Sequence, residues 1–271
     1  MLWGRALLLW ASLSIVCSGQ KAWTEAERLE FLKKADIKKT QDAPDGITGT
    51  TRATLSDGTE THDVSIQTID VTPWKPKAGS PPEPMFSDRY VYNIAAYELN
   101  RILGLNMIPA TVQRSFQGTS GSFTWWVDNT LMTEKQRYMK KEMPPDDKYW
   151  NEQMYIVRMF DQLIYNVDRN LGNIVIDKDW KIWMIDHTRA FRPWKQIKEK
   201  KSLVKCDRVL LTRLRNLDGK ELHEKLDPYI TKEQVDGVLA RASLIVKFFD
   251  DAIKKKGEGN VLYDYLPKPT T

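Results

Sequence analysis

Apolar residues recur at two different periods along this chain, and the change from one to the other divides it into halves. Trp23, Ala26, Leu29, Leu32 and Ala35 step along one drifting helical face, with Thr24 and Glu27 spaced as a capping box. They predict a helix over Lys21–Lys39. Pro44 and two glycines in Asp42–Gly49 predict a loop. Alternation then predicts strands over Thr50–Leu55 and His62–Ile69, joined at Ser56-Asp57-Gly58-Thr59. Five prolines between Val71 and Pro84 mark an irregular excursion. A helix over Ser87–Leu103, stopped by Gly104, follows, with Ile94, Ala95, Leu99, Ile102 and Leu103 on its apolar face. Ile108–Val112 and Phe123–Val127 then flank Gly118 and Gly121 as a second hairpin.

After the break at Pro144-Pro145-Asp146-Asp147 the pattern is mainly helical. Met154, Val157, Phe160 and Ile164 share one face of a helix over Asn151–Tyr165, and Ile156, Met159 and Leu163 widen it enough for a central buried position. Two short strands, Ile174–Ile176 and Ile182–Ile185, turn at Lys178-Asp179. Helices are expected over Val209–Asn216, Gly219–Leu226 and Thr231–Lys256, with Gly257–Thr271 as a tail laid across this half. The expected architecture is α+β and two-lobed, a small antiparallel sheet with a packed helix before a helical second lobe.

Composition narrows the classes. A chain of 271 residues can bury one sizeable core or two small lobes. The formal charge of +5 is spread over short lysine clusters broken by acids, which read as solvated helix faces. There is no zinc spacing and no nucleic-acid motif. At the N-terminus, Arg5, the apolar run Ala6–Val16 and the small residues Cys17-Ser18-Gly19 have the layout of an export signal over residues 1–19, too short for a comfortable membrane span. The expected destination is periplasmic, extracellular or secretory. A membrane-anchored or cytoplasmic chain is the alternative should that segment not be a signal. Its removal leaves Cys206, read as a small core residue, and no stable membrane span. The chain is read as a monomer.

The candidate chemistry lies in Asp168-Arg169-Asn170-Leu171-Gly172-Asn173 and in Trp183-Met184-Ile185-Asp186-His187. Phosphoryl transfer needs a positioned acceptor, a divalent metal on the phosphates and compensating positive charge. Asp168 is suited to orient or deprotonate an acceptor hydroxyl. Asn173 offers a neutral oxygen to Mg²⁺ or Mn²⁺, and Asp186 the main carboxylate ligand. The hairpin between them explains how they could converge. As plain turn residues, Asp168 and Asn173 could instead only cap strand ends. An acid leaving a strand as apolar as Trp183-Met184-Ile185, however, needs a partner. Arg169 could pair with Asp168, contact a phosphate or form a structural ion pair. Arg189 could contact a phosphate or fix the loop, and His187 reads as a packing residue.

These two segments resemble the catalytic loop and metal-binding segment of atypical protein-kinase-like folds, above all the secretory-pathway kinase and lipid-kinase-like branches. Asn93–Leu105 and Ile108–Arg114 resemble the first-lobe helix and following strand of the secretory family, so the likeness runs over about Gly46–Arg192. It implies a two-lobed kinase-like fold with lobes at 20–143 and 144–271, ATP with Mg²⁺ or Mn²⁺, and transfer of the γ-phosphate to a hydroxyl acceptor of unspecified type. A non-catalytic nucleotide-binding scaffold and a nucleotidyltransferase are the alternatives. The family's strand lysine falls near Gln67 and its helical acid near Asn93, so both charges are missing together. An amide pair could still hydrogen-bond. Lys75 or Lys77 could reach inward instead, and Glu98 could replace the acid, although it points to another azimuth than Asn93. Its alternative is a solvent-facing or salt-bridged helix position. Gly49 is the best candidate for a phosphate-covering glycine and equally a simple connector. Trp125 and Trp126 could flank adenine or pack the sheet.

Overall fold

The computed structural model describes residues 21–42, 50–72 and 87–267. The first lobe begins with helix α1 (Glu25–Lys34), whose Thr24 and Glu27 form a reciprocal capping box. The helix is shorter than its periodicity predicts. Beyond Ala35 only Ile37 is even half-buried, and Asp36–Asp42 is strand β1, paired with β2. Backbone pairing wins there over weak helical propensity, and Lys38 and Lys39 keep the resulting sheet edge charged. Strands β2 (Thr51–Ser56) and β3 (Thr61–Gln67) form the expected hairpin.

Two-residue strands β4 (Asp70–Val71) and β5 (Asp88–Arg89) pair next, fastened by Arg89 Nε on Asp70 Oδ1. Helix α2 (Val91–Ile102) therefore starts later than its predicted Ser87. Gly104 follows it at φ +55, where an added Cβ would sit 2.5 Å from the Arg213 guanidinium. Strands β6 (Thr111–Phe116) and β7 (Thr119–Trp125) complete an antiparallel sheet of order β1-β2-β3-β7-β6. Helices α1 and α2 pack against it, and Trp23, Phe31 and Trp125 meet edge-on in its core. Trp125 is thus a packing residue, and Arg52 lies over the half-buried Trp126 ring.

Two elements lie where hydrophobic spacing announces none. They are β8 (Thr130–Thr133) and α3 (Glu134–Lys140), and α3 is opened by a capping box of Thr133 and Gln136. Helix α4 (Asp147–Leu163) runs through the second lobe with Ile156, Val157, Phe160 and Leu163 buried. β9 (Ile174–Asp177) and β10 (Ile182–Met184) form the expected hairpin, and β8 adds to it in the order β10-β9-β8. After β11 (Cys206–Asp207), helices α5 (Arg208–Arg215) and α6 (Gly219–Leu226) pack on α7 (Lys232–Lys256), which packs on α4. The tail crosses this lobe as α8 (Glu258–Val261) and β12 (Leu262–Tyr263), the latter parallel to β11. Asp207 secures it by accepting from the Tyr265 and Leu266 amides. Cys206 is buried and free, and burial pushes its thiol up. Among the described residues no helix is long and apolar enough to cross a membrane. The architecture is the two-lobed, kinase-like one, with a sheet-based first lobe and a mainly helical second.

Candidate functional site

The end of α4 sets the catalytic-loop candidate. Asp161 on its last turn accepts from Asn166 Nδ2 at 2.9 Å and from Arg169 through both Nε and Nη2. Asn166 Oδ1 in turn receives the Asp168 amide at 3.0 Å. The other edge of Arg169 donates to the carbonyls of Asn173 and Ile185, each at 2.8 Å. Arg169 is therefore the brace that ties the loop to the Asp186 segment. Of the roles open to it, the ion-pair one is the one its contacts express, through Asp161 rather than Asp168. A single 3-10 turn, Leu171–Asn173, leads into β9, capped by Asn170 Oδ1 on the Gly172 amide. Asn173 Nδ2 donates to the Asp168 carbonyl at 3.0 Å, leaving its amide oxygen as the acceptor end. The Ile185 amide bonds the Asn173 carbonyl at 3.1 Å, so the two polar segments start side by side.

Asp186 leaves β10 in the left-handed region, φ +53, a conformation that Asp and Asn tolerate better than bulkier residues. Its Oδ1 receives Gln67 Nε2 at 3.3 Å and Thr188 Oγ1 at 3.1 Å. Burial raises its carboxyl, with the Asp88 charge adding to the rise and these two donors opposing it. β3 buries Val64 and Ile66 on one face and, by alternation, Gln67 on the other. Gln67 Oε1 accepts from Asn93 Nδ2 at 2.6 Å, and Asn93 Oδ1 takes the His187 amide at 2.7 Å. Ser122 Oγ and Thr50 Oγ1 complete the set. The amides of Gln67 and Asn93 thus bond each other and the Asp186 segment. Glu98, on another face of α2, pairs with Arg101 at 3.1 Å.

One side chain beside Asp186, Asp88, carries little signal in sequence. Asp88, 2% exposed, accepts from Arg189 Nε at 2.9 Å through Oδ2, while its buried Oδ1 has no hydrogen-bond partner among the described residues. Arg189 Nη1 lies 3.3 Å from Asp168 Oδ2. Burial pulls the Arg189 guanidinium down, but the bond and charge of Asp88 and the charges of Asp168 and Asp186 leave it raised. Asp88 reads in sequence as an ordinary turn acid after a proline-rich stretch. His187 is 1% exposed, edge-on to Phe160, and burial drives its ring well below the usual value. It is a neutral packing residue. Gly49, Lys75, Lys77 and the export segment lie outside the described residues.

The donor set bears on a metal. Among the described residues no cluster of three or more His, Cys, Asp or Glu could hold one. A desolvated carboxylate at Asp186 and an amide oxygen at Asn173 are hard ligands. They fit a cation such as Mg²⁺, which usually takes few protein ligands and keeps water and substrate phosphates for the rest. The hydrogen-bond donors that meet the Asp186 carboxylate, Gln67 and Thr188, are neutral and offset its burial only in part.

No protein-family model matches the chain, and no curated protein matches it by sequence. Solved structures match in fold. The structure of hydra Fam20 with sugar superposes at a TM-score of 0.66 over 89% of this chain and 92% of that one, with 17% identity. The Golgi casein kinase with Mn/ADP bound superposes at 0.63 over 91% and 80%, with 14% identity, and a further structure of the Golgi casein kinase gives the same values. Identities this low establish the kinase-like fold alone.

Proposed function

We propose that the chain is a metal-dependent phosphotransferase that moves the γ-phosphate of ATP to a hydroxyl acceptor. The observation that carries this reading is the shared anchorage of three side chains between the lobes. Arg169 and the Asn173–Ile185 backbone bond hold the Asp168, Asn173 and Asp186 segments together. Asp186 is met from the first lobe by Gln67, and Asp168 by Arg189, itself held by first-lobe Asp88. The Golgi casein kinase of similar fold was solved with Mn/ADP.

In this reading Asp168 orients the acceptor hydroxyl and takes its proton as the oxygen attacks. Asp186 and Asn173 would hold Mg²⁺ or Mn²⁺, which when bound neutralises the phosphates and orients them for in-line transfer. Gln67 fixes the Asp186 carboxylate. The Asn93–Gln67 pair supports a second reading, a nucleotide-binding scaffold without turnover, because neither amide brings charge to the phosphates. A nucleotidyl transfer would use the same metal site.

The test is titration of ATP with Mg²⁺ or Mn²⁺ into the purified chain, followed by assay of turnover. Asp168→Ala is expected to abolish turnover and keep binding, and Asp186→Asn to abolish metal-dependent binding. Binding without turnover in the unaltered chain would favour the scaffold. No binding at millimolar nucleotide with either metal would remove both readings.

A further inference from the structure

Away from the candidate site, the turn between β9 and β10 holds a lysine over an indole ring. Asp177 pins this turn. Its Oδ1 accepts from the Asp179 and Lys181 amides, each at 3.0 Å, and its Oδ2 from Trp183 Nε1 at 2.9 Å. The carboxylate thereby fixes the Trp183 ring, and the Lys181 ammonium lies 3.8 Å from the ring centroid. Both side chains are half-buried. Among the described residues no carboxylate forms an ion pair with Lys181, and no oxygen accepts from its Nζ. A cation so placed has exchanged part of its hydration for one aromatic face. Burial pulls the amine down to about 8, with the Asp177 charge opposing and the charge of Arg28, from α1 in the first lobe, adding to the fall.

We propose that Lys181 is a site of covalent acylation, taking its acyl group from an activated donor of the acyl-phosphate class. The unprotonated Nζ attacks the acyl carbon with its lone pair. The new C–N bond replaces the C–O bond to the phosphate, which leaves with that electron pair, and the nitrogen gives one proton to water. The amide that forms is neutral, so the buried charge and its repulsion from Arg28 both disappear while the aliphatic stem stays on Trp183. At about pH 7.5 roughly a quarter of amines with a value of about 8 are unprotonated, against about one in a thousand at the ordinary 10.5. A weaker base is also the slower nucleophile. At the slope of about 0.5 known for thiolates, that returns roughly an order of magnitude and leaves an advantage of about tenfold.

The experiment exposes the full chain to acetyl phosphate and follows acetylation lysine by lysine by mass spectrometry, with Nα-acetyl-lysine in the same mixture. The internal control is Lys178, exposed on the same turn. In the folded chain at about pH 7.5, Lys181 is expected to react about tenfold faster than Lys178. Its rate should level off above about pH 9, where that of the free amino acid still climbs. Unfolding in guanidinium chloride, which frees the amine from Trp183, should bring Lys181 and Lys178 to the same rate within about twofold. A Lys181 that reacts no faster than Lys178 in the folded chain would overturn the assignment. So would a preference for Lys181 that persists in guanidinium chloride, since it would belong to the neighbouring sequence and not to the fold. Neither result depends on whether the chain binds a nucleotide.

Discussion

Replacing Asp186 by Asn separates a functional acid from a structural one, because the two roles give opposite signs. Burial is the main cause of the raised Asp186 carboxyl. A carboxyl that binds its proton more tightly folded than unfolded adds stability below its ordinary value of 3.8 and loses it as pH climbs through the folded value. At neutral pH the ionised side chain therefore works against the fold. Asn keeps an oxygen for the Gln67 and Thr188 donors and tolerates φ +53. Stabilising single substitutions commonly yield about 0.5–2 kcal/mol. For a chain of this size that corresponds to a rise in melting temperature of about 1–8 °C.

The unaltered chain should in turn gain about 2.7 kcal/mol from Mn²⁺ and ADP at roughly a hundred times the dissociation constant. The variant should gain almost none. Thermal melts at pH 7, with and without Mn²⁺ and ADP, read both effects, and the stability gap between variant and parent should shrink as pH falls. An Asp186→Asn protein that melts several degrees below the parent in the absence of ligand would refute the reasoning. So would one that keeps the full nucleotide-dependent shift.

Other substitutions probe the frame around it. Asn93→Leu strands the Gln67 carbonyl and the His187 amide in a buried site and should cost about 2–5 kcal/mol in urea unfolding, whereas Glu98→Gln on the same helix should stay within about 0.5 kcal/mol. Arg169→Leu leaves Asp161 as an uncompensated buried charge and should cost about 3–5 kcal/mol, part of it recovered by adding Asp161→Asn. Gly121→Ala would put a Cβ 2.8 Å from the Gln67 carbonyl oxygen, so a loss of about 1–3 kcal/mol is expected, together with weaker metal-dependent nucleotide binding. A neutral melt for that variant would show that β3 and β7 can separate without cost.

What the sequence reveals depends on whether the deciding contact is local. Gly219–Leu226 is a helix with the bounds its spacing predicts, and the hairpin of β9 and β10 lies where two apolar runs flank a turn. The over-long first helix fails because β1 is an exposed edge strand specified by its partner β2 rather than by its own side chains. Apolar spacing does not mark α3; the legible signal is the Thr133 and Gln136 cap of Thr133-Glu134-Lys135-Gln136, which apolar periodicity passes over. At the site, the resemblance puts Gln67 and Asn93 in matched positions, and their hydrogen bond joins residues from separate elements. The partners of Arg169 and Arg189 are not legible in sequence, because Asp161 and Asp88 arrive from a helix end and from another lobe.

The amide pair separates two tasks that a lysine and an acid would perform together. Its geometric task is intact: Asn93 holds α2 to the His187 backbone and to Gln67, and Gln67 holds Asp186. The same junction is sewn by the Arg89 amide on the Thr188 carbonyl, by Arg192 on Ser87 and by Gln234 on the Tyr92 hydroxyl. At about 0.5–1.5 kcal/mol for each bond, a swing of α2 away from the second lobe would forfeit several kcal/mol. The fold therefore holds α2 already docked on the second lobe. What the pair gives up is charge. On the proposed nucleotide reading, affinity that rests on a divalent ion rather than on a buried lysine should weaken steeply with added salt.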